Sequence, residues 1–88
     1  MTLLSRDELA ALPTTFLPNA AKGLDLTCAD DRAAARLRLA TALARALLAD
    51  TLVRACRIHG VKHVRSAHQA ANALAFIAIP STTIAEPH

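Results

Sequence analysis

Eighty-eight residues suffice for one domain with only a marginal core of its own. Alanine (21) and leucine (14) dominate, with two Phe and neither Tyr nor Trp; this favours helices in close approach and argues against a sheet. The net charge of +3 conceals an asymmetry. Residues 1–31 set Arg6 and Lys22 against Asp7, Glu8, Asp25, Asp30 and Asp31, whereas residues 32–65 carry seven arginines and Lys62 against Asp50 alone. A basic block of that density suits nucleic acid or an acidic protein surface.

In chain order, Ser5-Arg6-Asp7-Glu8 reads as a capping box. It opens a short helix that packs Leu9 and Leu12 and stops before Pro13. Residues 14–22 contain Pro18-Asn19 and read as a loop, or as a loop with one more turn capped by Asn19 before Gly23. Asp30 or Asp31 then caps a helix spanning residues 30–59, free of Gly and Pro and roughly 45 Å long at 1.5 Å per residue. Leu39, Leu43, Leu47 and Ile58 share one face of that helix, Leu37 and Leu48 flank it, and Leu52 and Val53 lie on the opposite side. A helix apolar nearly all round needs cover all round. Two short neighbours do not provide it, so the pattern predicts assembly through Leu39, Leu43, Leu47, Leu48 and Leu52. Gly60 ends the helix as a C′ residue with Arg54, Arg57 and His59 in its last turn. Residues 61–65 form a brief extended loop. Ser66-Ala67-His68-Gln69 is a second capping box, opening a helix through Ala70, Ala73, Leu74 and Ile77 that Pro80 closes. The expected organisation is an all-α domain over residues 1–80, arranged as short helix, long helix, short helix, with a mobile tail at 81–88.

Residues 59–74 read His-Gly-Val-Lys-His-Val-Arg-Ser-Ala-His-Gln-Ala-Ala-Asn-Ala-Leu. This stretch, with the helix layout, resembles the histone fold. Ser66 matches the cap of the histone third helix, Ala70 its first buried position and Ala73-Leu74 its closing pair. Gln69 departs from the Asp that usually pairs with a loop arginine, Val64 stands near the usual loop threonine, and Asp25, Asp30 and Asp31 make the first loop acidic. The resemblance implies an obligate homo- or heterodimer with crossed central helices that binds DNA, or a DNA-bound complex, through phosphate contacts without sequence readout. Lys62, His63 and Arg65 in the loop, with Arg36 and Arg38 on the long helix, are the candidate contacts. The alternative is an adaptor or inhibitor whose basic face docks on an acidic protein and touches no DNA. Two phenylalanines leave little for base stacking.

Other chemistries find little support. Cys56, His59, His63 and His68 have spacings that suit zinc, but Gly60 interrupts the helix between them and no Cys-x-x-Cys pair accompanies them. Ser66 and His68 are too local for a nucleophilic triad and are explained by capping. Two glycines, Gly23 and Gly60, do not make a phosphate loop. The paired carboxylates Asp7-Glu8 and Asp30-Asp31 sit at helix starts, where the macrodipole accounts for them. The sequence therefore predicts no enzyme and no cofactor. It predicts no membrane span, since Pro80 and several polar residues interrupt the uncharged run 66–85, and no secretory signal. With Cys28 and Cys56 as ordinary apolar residues of a reducing compartment, the expected location is intracellular: nucleoid or nucleus for a DNA binder, cytoplasm otherwise.

Overall fold

A computed structural model describes residues 4–80; the expected tail at 81–88 lies outside the described residues. Four helices follow one another: α1 (Arg6–Ala21), α2 (Ala29–Ala46), α3 (Ala49–Ile58) and α4 (Ala67–Ala78). Among the described residues there is no strand, and no helix is long and apolar enough to cross a membrane. The all-α class holds; the three-helix layout gives way to four.

The capping box at Ser5 forms with both arms: Glu8 N–H donates to Ser5 Oγ (3.1 Å), and Ser5 N–H donates to Glu8 Oε1 (2.8 Å). α1 does not stop before Pro13. It runs through Pro13 and Pro18 to Ala21. An interior proline costs a helix about 3 kcal/mol through its missing N–H and the carbonyl it displaces. Continuing the helix buries the Pro13 ring and Ala20 and half-buries Phe16 and Leu17 against the core. Burial of large apolar side chains, at about 1.5–3 kcal/mol each, outweighs that cost. Gly23, at φ +80°, takes the left-handed C′ position that ends α1.

Neither Asp30 nor Asp31 caps α2. Cys28 occupies the N-cap without a side-chain bond, and both acids lie in the first turn. The carboxylates instead build the turn before it. Asp31 Oδ2 accepts from Asp25 N–H (2.8 Å), and Asp25 Oδ1 accepts from Thr27 N–H (3.0 Å) and Thr27 Oγ1–H (2.7 Å).

The largest departure from expectation is the break at Leu47 and Leu48, both extended (φ −127°, ψ 152° and φ −71°, ψ 152°). No Gly or Pro causes it. On one continuous helix, the buried stripe of α2 (Ala35, Leu39, Leu43) and that of α3 (Leu52, Ala55, Cys56) would point roughly 180° apart. Two extended residues re-phase the chain, so both stripes enter one core with Leu9, Leu12 and Leu74. This corrects the expected dimer interface. Leu39, Leu43 and Leu52 are fully buried inside the chain and Leu47 is half-buried, while Leu48 is 71% exposed. The cover that the leucines needed comes from the fold itself, because the helix does not run on as a rod.

α3 ends as expected at Gly60, φ +84°. Gly60 N–H donates to Arg57 O (3.0 Å) and Val61 N–H to Cys56 O (2.8 Å), the paired bonds of a Schellman ending. Ser66 caps α4, accepting from Gln69 N–H at 3.1 Å. The expected box is half made, because Gln69 Oε1 accepts from Arg65 N–H (2.8 Å) rather than from Ser66.

Candidate nucleic-acid interface

The segment between α3 and α4 is short and pinned at both ends. The Schellman bonds hold Gly60 and Val61, the Gln69 side chain holds the backbone of Arg65, and Val61 and Val64 half-bury against the core. Two inward valines turn Lys62, His63 and Arg65 outward, and all three are exposed. Among the described residues, none of these three side chains has a hydrogen-bond or ion-pair partner. The ion pair found there is Arg54–Asp50 (2.9 Å), one turn apart on α3 and well exposed, a type that contributes little. No Asp or Glu occurs between Thr51 and Pro80.

Three of the four arginines of α2 are placed differently; the fourth, Arg45, is exposed. Arg36 Nη1 donates to the carbonyls of Ile79 (3.2 Å) and Pro80 (3.3 Å), and its guanidinium lies over the Phe76 ring at 4.9 Å. Arg38 Nη1 donates to Lys22 O (3.1 Å) at the end of α1. Arg32 Nη1 donates to Leu26 O (3.0 Å). A guanidinium is a natural partner for the unpaired carbonyls at helix ends. Arg36 and Arg38, expected as phosphate contacts, are thus structural clamps and do not join Lys62, His63 and Arg65. Arg57 on the last turn of α3 and His68 on the first turn of α4, which lie outside the expected contacts, are both exposed and flank the loop. Their proximity along the chain was the available signal.

The acidic turn lies away from this loop. The Arg36 clamp sets the C-terminus of α4 against the N-terminal half of α2, the half that the acidic turn precedes, whereas the basic loop precedes the N-terminus of α4. Twelve helical residues separate the two ends, about 18 Å, which exceeds the Debye length of about 8 Å at physiological salt. At the basic end, His59 ties α3 to α1: its Nε2 lies 2.9 Å from Ala10 O, and since a carbonyl only accepts, Nε2 carries the hydrogen. That contact brings the first turn of α1 to the same end. Asp7 and Glu8 are partly offset there by Arg6, and Glu8 is committed to the Ser5 cap.

Cys56 is fully buried and donates to Ala70 O (3.4 Å); burial pushes its thiol above the ordinary range, which makes it unreactive. The Thr27 hydroxyl, then the Thr27 amide, holds the Asp25 carboxyl below its ordinary value. With Cys56 and His59 both directed at backbone carbonyls, the His and Cys residues do not converge, and no group of three metal-ligating side chains occurs among the described residues. The chain matches no protein-family model, no curated protein and no solved structure.

Proposed function

We propose that the chain is a small helical module that binds duplex DNA through backbone phosphates, without base readout. Lys62, His63 and Arg65 are the contacts, with Arg57 and His68 beside them. The observation that carries this reading is the division among the cations. Arg32, Arg36 and Arg38 on α2 are turned to backbone carbonyls, whereas Lys62, His63 and Arg65 on the loop are exposed, without protein partners among the described residues, and held on a backbone pinned at both ends. Arg45, exposed at the other end of α2, stands apart from both groups. A pinned loop presents its charges with little ordering cost on binding. The acidic turn precedes the half of α2 that meets the far end of α4 from the loop, which weakens the main electrostatic objection to phosphate contact. The resemblance of residues 59–74 to the histone loop and third-helix cap supports the same reading locally. It does not require crossed long helices.

The test is duplex binding by fluorescence anisotropy over a salt series, with two duplexes of unrelated sequence. Both should bind alike, with log affinity falling linearly in log salt. Lys62→Ala with Arg65→Ala should reduce that slope by roughly two, about one per lost contact. Helicity should persist, since both side chains are exposed. Absence of any duplex binding at low salt would transfer the loop to an acidic protein partner.

A further inference from the structure

From Ala33 to Ala44 a narrow stripe on the outer side of α2 carries no charge, bordered on one side by the exposed Arg38 and Arg45. At about 100° per residue, Ala33, Leu37 and Thr41 form one stripe roughly opposite the buried Ala35, Leu39 and Leu43, and the half-buried Ala44, which packs against the core, lies at its end. Leu48 stands just past its end. Leu37 is 69% exposed and Leu48 71% exposed, and Phe76 on α4, stacked on the Arg36 guanidinium, is half exposed. Isolated exposed leucines are ordinary. These lie on or beside an uncharged stripe of a molecule whose two ends differ in sign. The acidic turn with Asp25 and Asp30 precedes the half of α2 to which the end of α4 is clamped, and the loop with Lys62 and Arg65 is where α4 begins.

We propose that this face binds a second copy of the chain in antiparallel, twofold order. In a twofold contact each patch meets its counterpart reciprocally. A parallel arrangement would set acid on acid and base on base. The antiparallel one packs Leu37 and Leu48 about the axis and sets the acidic turn of each copy toward the basic loop of the other. An acidic protein or a duplex complements only the loop. A second copy complements the loop, the acidic turn and the apolar stripe together, with the charges setting orientation and the apolar contact giving most of the affinity. This interface is distinct from the buried leucines of the core, which stay inside each copy.

Sedimentation velocity over a protein dilution series tests the proposal. The unmodified chain should dimerise, and its dissociation constant should rise with salt. Leu37→Asp should weaken dimerisation by tenfold or more while leaving circular dichroism unchanged, because the side chain is exposed. A charge exchange reads the orientation. Lys62→Glu with Arg65→Glu in one variant, and Asp30→Lys in another, should each weaken self-association, and an equimolar mixture of the two should restore it as a heterodimer. Asp30 is chosen because Asp25 and Asp31 build the turn. A monomeric unmodified chain at its highest soluble concentration in low salt would overturn the proposal. So would a mixture that associates no better than its components, a Leu37→Asp chain that dimerises as before, or capture of another protein without self-association.

Discussion

Arg36 joins the last turn of α4 to α2 with one side chain, through two carbonyls and an aromatic face. Those carbonyls lie at and beyond the C-terminus of α4, where the helix cannot satisfy them. Hydrogen bonds from a charged donor are worth about 1.5–3 kcal/mol when buried, and a guanidinium over a ring adds about 0.5–1 kcal/mol. Arg36 is half-buried and its Pro80 bond is exposed, so the lower part of that range applies. Arg36→Ala should therefore lower the unfolding free energy by about 1–2 kcal/mol in denaturant titration. Arg36→Lys should recover less than half of the loss, because an ammonium offers no planar fork to lay on Phe76. Duplex binding by the folded fraction should be little changed by either substitution. A large fall in the salt slope would instead return Arg36 to the phosphate interface.

At the scale of elements, the break between α2 and α3 decides the fold, and it offers a sharp test. Ala49 is the first residue of α3, where an amide has no helical acceptor, and Leu48 before it has the extended backbone that proline demands of its predecessor. Ala49→Pro should leave stability unchanged, or raise it by about 0.4–1 kcal/mol through a stiffer unfolded chain. In one helix over residues 30–59 the same change would cost about 3 kcal/mol. Thermal melts of the two proteins distinguish these outcomes, and a strongly destabilised variant would mean that the helix is continuous. Local signals read well in the sequence: the Ser5 box, the Gly60 ending and the Ser66 cap all depend on residues three to five positions apart. The break did not read well, although its cause is in the sequence. Leu39 and Leu43 are out of phase with Leu52, and that mismatch admits two solutions, a partner chain or a bend. Only the remaining helices, by covering both stripes at once, select the bend. Pro13 misled for a related reason, since its own cost is local and the burial that offsets it is tertiary.

At the scale of the whole molecule, the site separates in the same way into what neighbours along the chain can show and what they cannot. The exposure of Lys62, His63 and Arg65 follows from a short loop with inward valines, so sequence sufficed to find them. Arg36 and Arg38 find their carbonyls 43 and 16 positions away, and nothing near them in sequence announces those partners. The two proposals meet at the loop, because phosphate and the acidic turn of a second copy would both use Lys62 and Arg65. Ligands competing for one surface are linked, and the apparent affinity for either falls with the fraction of surface left free. Leu37→Ser separates the two uses, since it removes an apolar contact remote from the loop and adds no charge. At a protein concentration where about nine-tenths of the unmodified chain is dimeric, Leu37→Ser should bind duplex roughly tenfold more tightly than the unmodified chain, the reciprocal of the free fraction. At concentrations well below dimerisation the two should bind alike. Anisotropy titrations at both concentrations supply the comparison, and sedimentation of the same mixtures should show duplex converting dimer to monomer. Equal affinities at the higher concentration would mean that dimer and duplex do not share the loop, so that Lys62 and Arg65 serve only one of them.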